Sequence, residues 1–207
     1  MYNPLNNSTI MKKSFFSFAI LAASLLMVSC GNTSNGSNGP AFATDTLTYS
    51  EYKWFDMTVV VPQGKDYEFT KTKPEALAEV AGSNMFYVVG DKVVIAVNDF
   101  DSKTIDEWKG IIQTNGLEKE KQGIADAKIA GRTAFRYPSL MGDSELKKYG
   151  YIYYVDFKDF SEAGLGGYNN FMMTVYPADG QPETIDGLLE DEEVKFLLDN
   201  MIVTPKE

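Results

Sequence analysis

Histidine is absent from this chain of 207 residues, and cysteine occurs once, at Cys30. Without histidine the chain cannot build a Ser-His-Asp or Cys-His nucleophilic site, a histidine general base, or a zinc or iron site with histidine ligands. A single cysteine also excludes an intramolecular disulfide, so the folded domain depends on a packed core. The sequence therefore predicts no catalytic residue, no metal site and no cofactor, and a protein that is not an enzyme.

Basic residues are fewer than acidic ones, 19 against 29, and the formal net charge is −10. Such a balance disfavours nucleic acid and anionic lipid headgroups as partners, because both repel a negative surface. It is compatible with a basic partner or with divalent cations. Solubility is the simplest reason for it.

The chain has no hydrophobic run of the roughly 20 residues that a bilayer-spanning helix needs. Its apolar stretch at 15–28 follows Lys12 and Lys13 and leads to small residues, as in a secretory signal peptide. The motif Met-Val-Ser-Cys that ends at Cys30 resembles the lipobox of bacterial lipoproteins, although Leu is more usual where Met27 stands. The resemblance implies that the Cys30 thiol carries a diacylglycerol and that Cys30 is the mature N-terminus. The alternative is a buried free thiol.

Three segments follow from this interpretation. Residues 1–29 form the signal peptide, with translation starting at Met11 if the polar first ten residues are excluded. Residues 30–45 hold the lipidated cysteine and a flexible Gly/Ser/Asn tether, and residues 46–207 form a single globular domain. The expected location is the cell envelope. The residues after Cys30, Gly31-Asn32, lack the Asp at the second mature position that retains some lipoproteins at the inner membrane, which favours the outer membrane.

Local signals in the domain predict strands joined by hairpins, with helices between them. A hairpin is expected around Gly90-Asp91, and two further strands flank Ala130-Gly131. Thr104 and Glu107 form a capping box at the start of a helix. The C-terminal residues are expected to be helical. These elements predict an α+β domain in which helices flank a central antiparallel sheet of about six strands.

The stretch at 129–136, the long aromatic strand at 149–157, the strand at 170–176 and a final helix near 196–202 together resemble the PsbP-type fold. That group includes the photosystem PsbP proteins, the Mog proteins and many bacterial lipoproteins. The resemblance implies an α/β/α sandwich with a central antiparallel sheet. It carries over no catalytic residue.

Alternation along the aromatic strand places Tyr149, Tyr151, Tyr153, Val155 and Phe157 on one face of the sheet. Such a row of tyrosines can stack a sugar or a partner's side chains. If helices cover the sheet, the same row belongs to the core, because cross-strand aromatic pairs stabilise sheets.

Arg132 and Arg136 share a face of their strand and are candidates for binding an anion together. The alternative is that each pairs with one of the many carboxylates.

Two groups of carboxylates follow strands, Asp99 with Asp101, and Asp156 with Asp159 and Glu162. They are candidates for a calcium site or for a glycosidase pair, but solvated loops are the preferred interpretation, and no EF-hand spacing is present.

Three hypotheses remain for the function. The first is a non-catalytic interaction or accessory module, which the lipid at Cys30 holds on the membrane and which binds a protein partner in the envelope. The second is a lipoprotein that binds a small ligand, a glycan or a cation. The third is a carboxylate-based glycan hydrolase.

Overall fold

A computed structural model describes most of the domain, and all described residues belong to the compact unit formed by residues 38–207. The described ranges are 43–52, 55–80, 84–141, 147–159, 167–179 and 185–206. The predicted signal peptide, Cys30 and the tether up to residue 42 lie outside them, as does Glu162.

Ten strands form the framework of the described part: β1 Thr44–Tyr49, β2 Phe55–Pro62, β3 Glu68–Thr70, β4 Phe86–Val89, β5 Val93–Asp101, β6 Ala125–Ile129, β7 Arg132–Met141, β8 Lys147–Asp156, β9 Asn170–Pro177 and β10 Ile202–Pro205. The helices there are short: α1 Ile105–Asn115, α2 Glu118–Gln122, α3 Ile185–Leu188, α4 Glu192–Asp199, and a 3₁₀ turn at Glu75–Leu77.

The strands form two sheets, and neighbouring strands are antiparallel in both. The larger sheet has seven strands in the order β3-β4-β5-β9-β8-β7-β6, and the smaller has three in the order β1-β2-β10. Short-range hairpins build most of the larger sheet. The smaller sheet depends on a long-range pair, because β10 at the end of the chain pairs with β2 near its beginning.

The predicted α+β fold, an α/β/α sandwich with a sheet of about six strands, is wrong. The structure is mostly antiparallel β, because one covering layer that was expected to be helical contains the three-stranded sheet. The final helix was predicted near residues 196–202, but α4 ends at Asp199 and Ile202 begins β10. The β-branched side chains of Ile202, Val203 and Thr204 suit an extended chain, and β2 supplies the backbone partners.

The main core lies on the face of the larger sheet that meets β2 and the C-terminal helices. Burial alternates along β2, so that Phe55, Met57 and Val59 point into this core. They join apolar residues of β4, β5, β8 and β9 and of α4. The apolar area removed from water here, at about 25 cal/mol per Å², is the main source of stability in a chain without disulfides.

The opposite face of the larger sheet is covered by α1 and by the 3₁₀ turn. From α1, Ile105, Trp108 and Ile112 pack on a cluster that contains Phe135 and Tyr154. The predicted capping box of this helix is confirmed: Thr104 Oγ1 accepts a hydrogen bond from Glu107 N (3.2 Å), and Glu107 Oε2 accepts one from Thr104 N (2.7 Å).

Candidate functional site

A β-bulge divides the predicted tyrosine row of β8. Ser139 pairs with Gly150 and Leu140 with Lys148, so Tyr149 is an extra residue without a partner on β7. Tyr149 therefore turns to the opposite face, where its ring meets that of Tyr176 edge-on at 6.5 Å. Its predicted place beside Tyr151 and Tyr153 is wrong.

Tyr151 and Tyr153 belong to the main core, where they are 8% and 4% exposed. Burial raises the pKa of Tyr153 to about 12, while the nearby charge of Arg136 acts in the opposite direction. The core interpretation of this row is confirmed for both tyrosines. They do not form an open surface on which a sugar could stack.

The two arginines of β7 have different surroundings. Arg132 forms a two-pronged ion pair with Asp159, at 2.6 Å and 2.8 Å, and also donates to the carbonyl oxygen of Asp156 at 3.3 Å. Its guanidinium lies 4.2 Å from the ring centroid of Phe157. Arg132 thus fastens β7 to the end of β8, as the ion-pair alternative predicted, and does not act with Arg136 on a common anion.

Arg136 instead lies over the ring of Tyr151, with Cζ 4.5 Å from the ring centroid. Within the described ranges, no carboxylate oxygen lies within 4.0 Å of its guanidinium. The positive charge of Arg136 acts on Glu190: the pKa of Glu190 is lowered mainly by Lys195 and to a smaller degree by Arg136. Arg136 is therefore held in place by an aromatic ring and leaves its fork of donors open to a ligand.

Arg136 lines a groove of about 470 Å³, which we call the basic groove. The groove lies where β6 begins. The first residue of β6, Ala125, pairs with Arg136, and beyond this pair α2 lies beside β7 instead of β6. The lining residues are Lys119, Gln122 and Gly123 from α2 and its end, Arg136, Pro138 and Leu140 from β7, and Lys148 and Tyr151 from β8.

Gly123 lets α2 approach β7 closely. A Cβ at this position would lie 2.3 Å from Cδ of Pro138, so a larger residue would push the wall of the groove outward. The approach brings Lys119 of α2 to the same groove as the strand residues.

Lys148 is positioned by the same tyrosine as Arg136. Its Nζ donates to the Tyr151 hydroxyl at 3.1 Å and lies 5.3 Å from the ring centroid. Three cations from three elements, Lys119, Arg136 and Lys148, thus line one groove, and its lining holds no Asp or Glu in the part of the chain that the structure describes. The charge of these three residues is thus opposite in sign to the net charge of the chain, which is −10.

The carboxylates predicted from sequence have local roles where the structure describes them. Asp101 accepts a hydrogen bond from Lys103 N at 2.6 Å, and Asp156 accepts one from Lys158 N at 3.0 Å, so both cap turns. Asp159 pairs with Arg132. In the described part of the chain, no three carboxylates come together as a metal site would require.

A second depression of about 670 Å³ is acidic. Glu75, Glu79 and Asp179 line it together with Tyr149. All three carboxylates are exposed, as expected of solvated side chains.

Sequence reasoning identified Arg136 but missed Lys119, Gln122 and Lys148. Their convergence depends on where β6 begins and on the bulge at Tyr149, and neither leaves a local signal in the sequence.

The chain was compared with known proteins in three ways, and no protein family model, no curated protein and no solved structure matches it. The resemblance to PsbP-type proteins thus stays a prediction, and the sandwich that it implied is wrong. No helix in the described ranges has the length and the apolar character that crossing a membrane requires.

Proposed function

We propose that this protein is a non-catalytic binding module of the cell envelope that captures an anionic ligand in the basic groove. Anchorage through a lipid on Cys30 and an outer-membrane location are part of this proposal and rest on the sequence alone. The module would present its groove at the membrane surface without transforming what it binds.

One observation supports the ligand: Lys119, Arg136 and Lys148 line a single groove, and none of the described residues in its lining is acidic. Arginine offers a planar fork of donors and lysine a compact charge, and together they suit oxygen anions. A concave site also concentrates the field of its charges. The volume of about 470 Å³ falls within the usual range for small-molecule sites.

The surface of the described residues gives less support to a protein partner that binds through apolar contacts. Among the described residues, the large hydrophobic side chains that stand exposed are Leu117 (49%), beside α2, and Ile202 (51%), on β10. Two isolated side chains do not make the contiguous apolar patch that marks such an interface. We therefore prefer the ligand-binding hypothesis to the protein-interaction hypothesis.

Calorimetric titration of the full chain in neutral detergent with citrate, inorganic sulfate and inorganic phosphate tests the proposal. We expect at least one anion to bind saturably. Arg136→Gln should weaken that binding by about tenfold or more, because a hydrogen bond to a charged group contributes about 1.5–3 kcal/mol.

Lys128→Gln is the matched control, since Lys128 is an exposed cation on β6 outside the groove. It removes the same charge from the molecule and should leave the affinity unchanged. The proposal fails if none of the three anions binds, or if Lys128→Gln weakens binding as much as Arg136→Gln does.

A further inference from the structure

We infer that the protein forms a two-fold symmetric dimer in which β6 of one copy pairs with β6 of a second copy. The surface that makes this contact is the open side of β6, Ala125–Ile129, which we call the β6 edge. It is separate from the basic groove, because none of the described residues that line the groove belongs to β6. The inference therefore goes beyond the proposed function and does not depend on it.

The β6 edge presents backbone groups that have no partner. β6 stands at one end of the larger sheet, where it pairs with β7. The two-residue turn Ala130-Gly131 makes Ile129 and Arg132 a hydrogen-bonded pair, and such pairs alternate along an antiparallel ladder. The N–H and C=O groups of Asp126 and Lys128 therefore point away from β7. In the described ranges these groups make no hydrogen bond, so they are open to another strand.

The charges of β6 are complementary to those of a second, antiparallel β6. When two copies pair about Ala127, Asp126 of each copy lies opposite Lys128 of the other. These are the residues whose backbone groups point outward, so four hydrogen bonds form between the copies. Opposite charges directly across an antiparallel ladder stabilise it, and the two-fold symmetry supplies the charge pair twice.

The side chains at the β6 edge leave room for a second strand. The Asp126 side chain is 86% exposed, and Lys128 is also exposed. Asp126 Oδ1 accepts a hydrogen bond from Lys109 Nζ at 2.6 Å, while Oδ2 accepts none from the described residues and is open to a lysine of the second copy. Ala127, on the other face, is small and does not hold the two strands apart.

The other strands that end a sheet in the described part lack this self-complementary pattern. β3 and β1 each carry one carboxylate and no cation, Glu68 and Asp45. β10 has no charged residue and ends at Pro205, which has no N–H to donate. A lysine on an edge strand commonly prevents pairing with foreign strands. In β6 the lysine lies two residues from an aspartate, so a second copy of the chain offers it an opposite charge.

Disulfide trapping of the full chain in neutral detergent tests the pairing. Ala127 would face its own copy in a non-hydrogen-bonded pair, with Cα atoms about 4.5 Å apart, which a disulfide can bridge. Ala127→Cys should therefore form a covalent dimer on mild oxidation, as measured by non-reducing electrophoresis. Ala125→Cys is the matched control, because Ala125 is another partly buried alanine of β6. Its two copies would lie on the order of 13 Å apart along the strands, so this variant should form no more dimer than the unaltered protein.

Charge reversal tests the register without an introduced thiol. Asp126→Lys and Lys128→Asp each place like charges opposite each other at both pairs, so each should weaken dimerisation by about fivefold or more. An equal mixture of the two variants restores opposite charges between unlike copies, and the dimer should return. Sedimentation equilibrium in a density-matched neutral detergent measures the mass. Asp45→Lys, which reverses an exposed carboxylate on β1, should leave the dimer unchanged, and thermal unfolding checks that each variant is folded.

The dimer is overturned if Ala127→Cys gives no more covalent dimer than Ala125→Cys while both are folded. It is equally overturned if Asp126→Lys affects the mass no more than Asp45→Lys does, or if the mixture of charge-reversed variants stays monomeric. Loss of the dimer leaves the proposed anion binding intact, because the described lining of the groove contains no residue of β6. Calorimetric titration of the charge-reversed variants with the same anions separates the two outcomes.

Discussion

At the start of α4, the side chain of Asp191 joins the helix to the turn between β4 and β5. Its Oδ1 accepts hydrogen bonds from Glu193 N (2.9 Å) and Val194 N (3.3 Å), and its Oδ2 accepts one from Lys92 Nζ (2.7 Å). Glu193, which is 9% exposed, accepts a hydrogen bond from the Tyr67 hydroxyl at 2.8 Å. One helix N-terminus is thereby fixed to two parts of the larger sheet.

Replacement of Asp191 by Ala should lower the free energy of unfolding by about 1 kcal/mol, the usual value of an N-cap. Burial raises the pKa of Asp191, but the hydrogen bonds from Lys92 and from the backbone of Val194 and Glu193 outweigh it, so the pKa is lowered. Because the pKa is lowered, the ionised Asp191 side chain contributes fully to the free energy of unfolding above the ordinary carboxyl pKa, near 4. This contribution is lost as the pH falls through the pKa of Asp191 in the folded protein.

Urea unfolding between neutral and acid pH measures this effect. Asp191→Ala should lose less stability on acidification than the unaltered protein does. Asp45→Ala, which removes an exposed carboxylate on β1, should change neither the midpoint nor its pH dependence. Identical acid profiles for Asp191→Ala and the unaltered protein would contradict the role of Asp191.

Among the elements, β8 shows most clearly how an irregular strand sets the position of the groove. The bulge at Tyr149 changes which side chains share a face, so Lys148 and Tyr151 meet at the groove while Tyr149 packs against Tyr176. Gly150 follows the bulge, where the neighbouring strand β9 is very close. A Cβ on Gly150 would lie 2.7 Å from the carbonyl oxygen of Val175 and 2.8 Å from the ring of Tyr176.

Gly150→Ala should therefore destabilise the domain by about 1–3 kcal/mol, the usual cost of overpacking. Gly110→Ala is the matched control. Gly110 lies inside α1, where a Cβ would have no atom within 4 Å. That substitution should stabilise the protein by up to about 1 kcal/mol, since alanine favours a helix more than glycine does. Chemical denaturation of both variants tests the pair, and equal effects of the same sign would refute the argument.

Elements with local signals were predictable from the sequence. The capping box of Thr104 and Glu107 marked the start of α1, and the turn at Ala130-Gly131, with φ values of 53° and 75°, joins β6 and β7 as predicted. The fold class was not predictable in this way, because it depends on β10 reaching β2 across most of the chain. The groove depends on the length of β6, which only the complete sheet determines.

For the molecule as a whole, the net charge and the proposed lipid anchor both bear on the proposed binding function. Acidic residues outnumber basic ones in the chain, which has a net charge of −10, so the net charge does not reveal the cations of the basic groove. The charge of the whole chain disfavoured anionic partners, and the groove shows why such an average does not describe a site.

Cys30→Ala should release the protein from the membrane fraction and abolish labelling by radioactive fatty acid, because the predicted attachment point is lost. Fractionation of cells and autoradiography measure the two outcomes. Arg136→Gln is the control and should stay in the membrane fraction with its label. A Cys30→Ala protein that keeps both its location and its label would rule out lipidation at this residue.

The pairing of β2 with both β1 and β10 also affects when the chain can fold. β1 comes just before β2, but β10 lies near the far end of the sequence, and Met57 pairs with Val203. During synthesis, the small sheet and the core beneath it stay incomplete until residues 202–205 have been made. Contacts between such distant residues form slowly, because a long loop must close first. A chain that completes its core late can still be threaded in extended form, as passage through an export channel to the proposed envelope location would require.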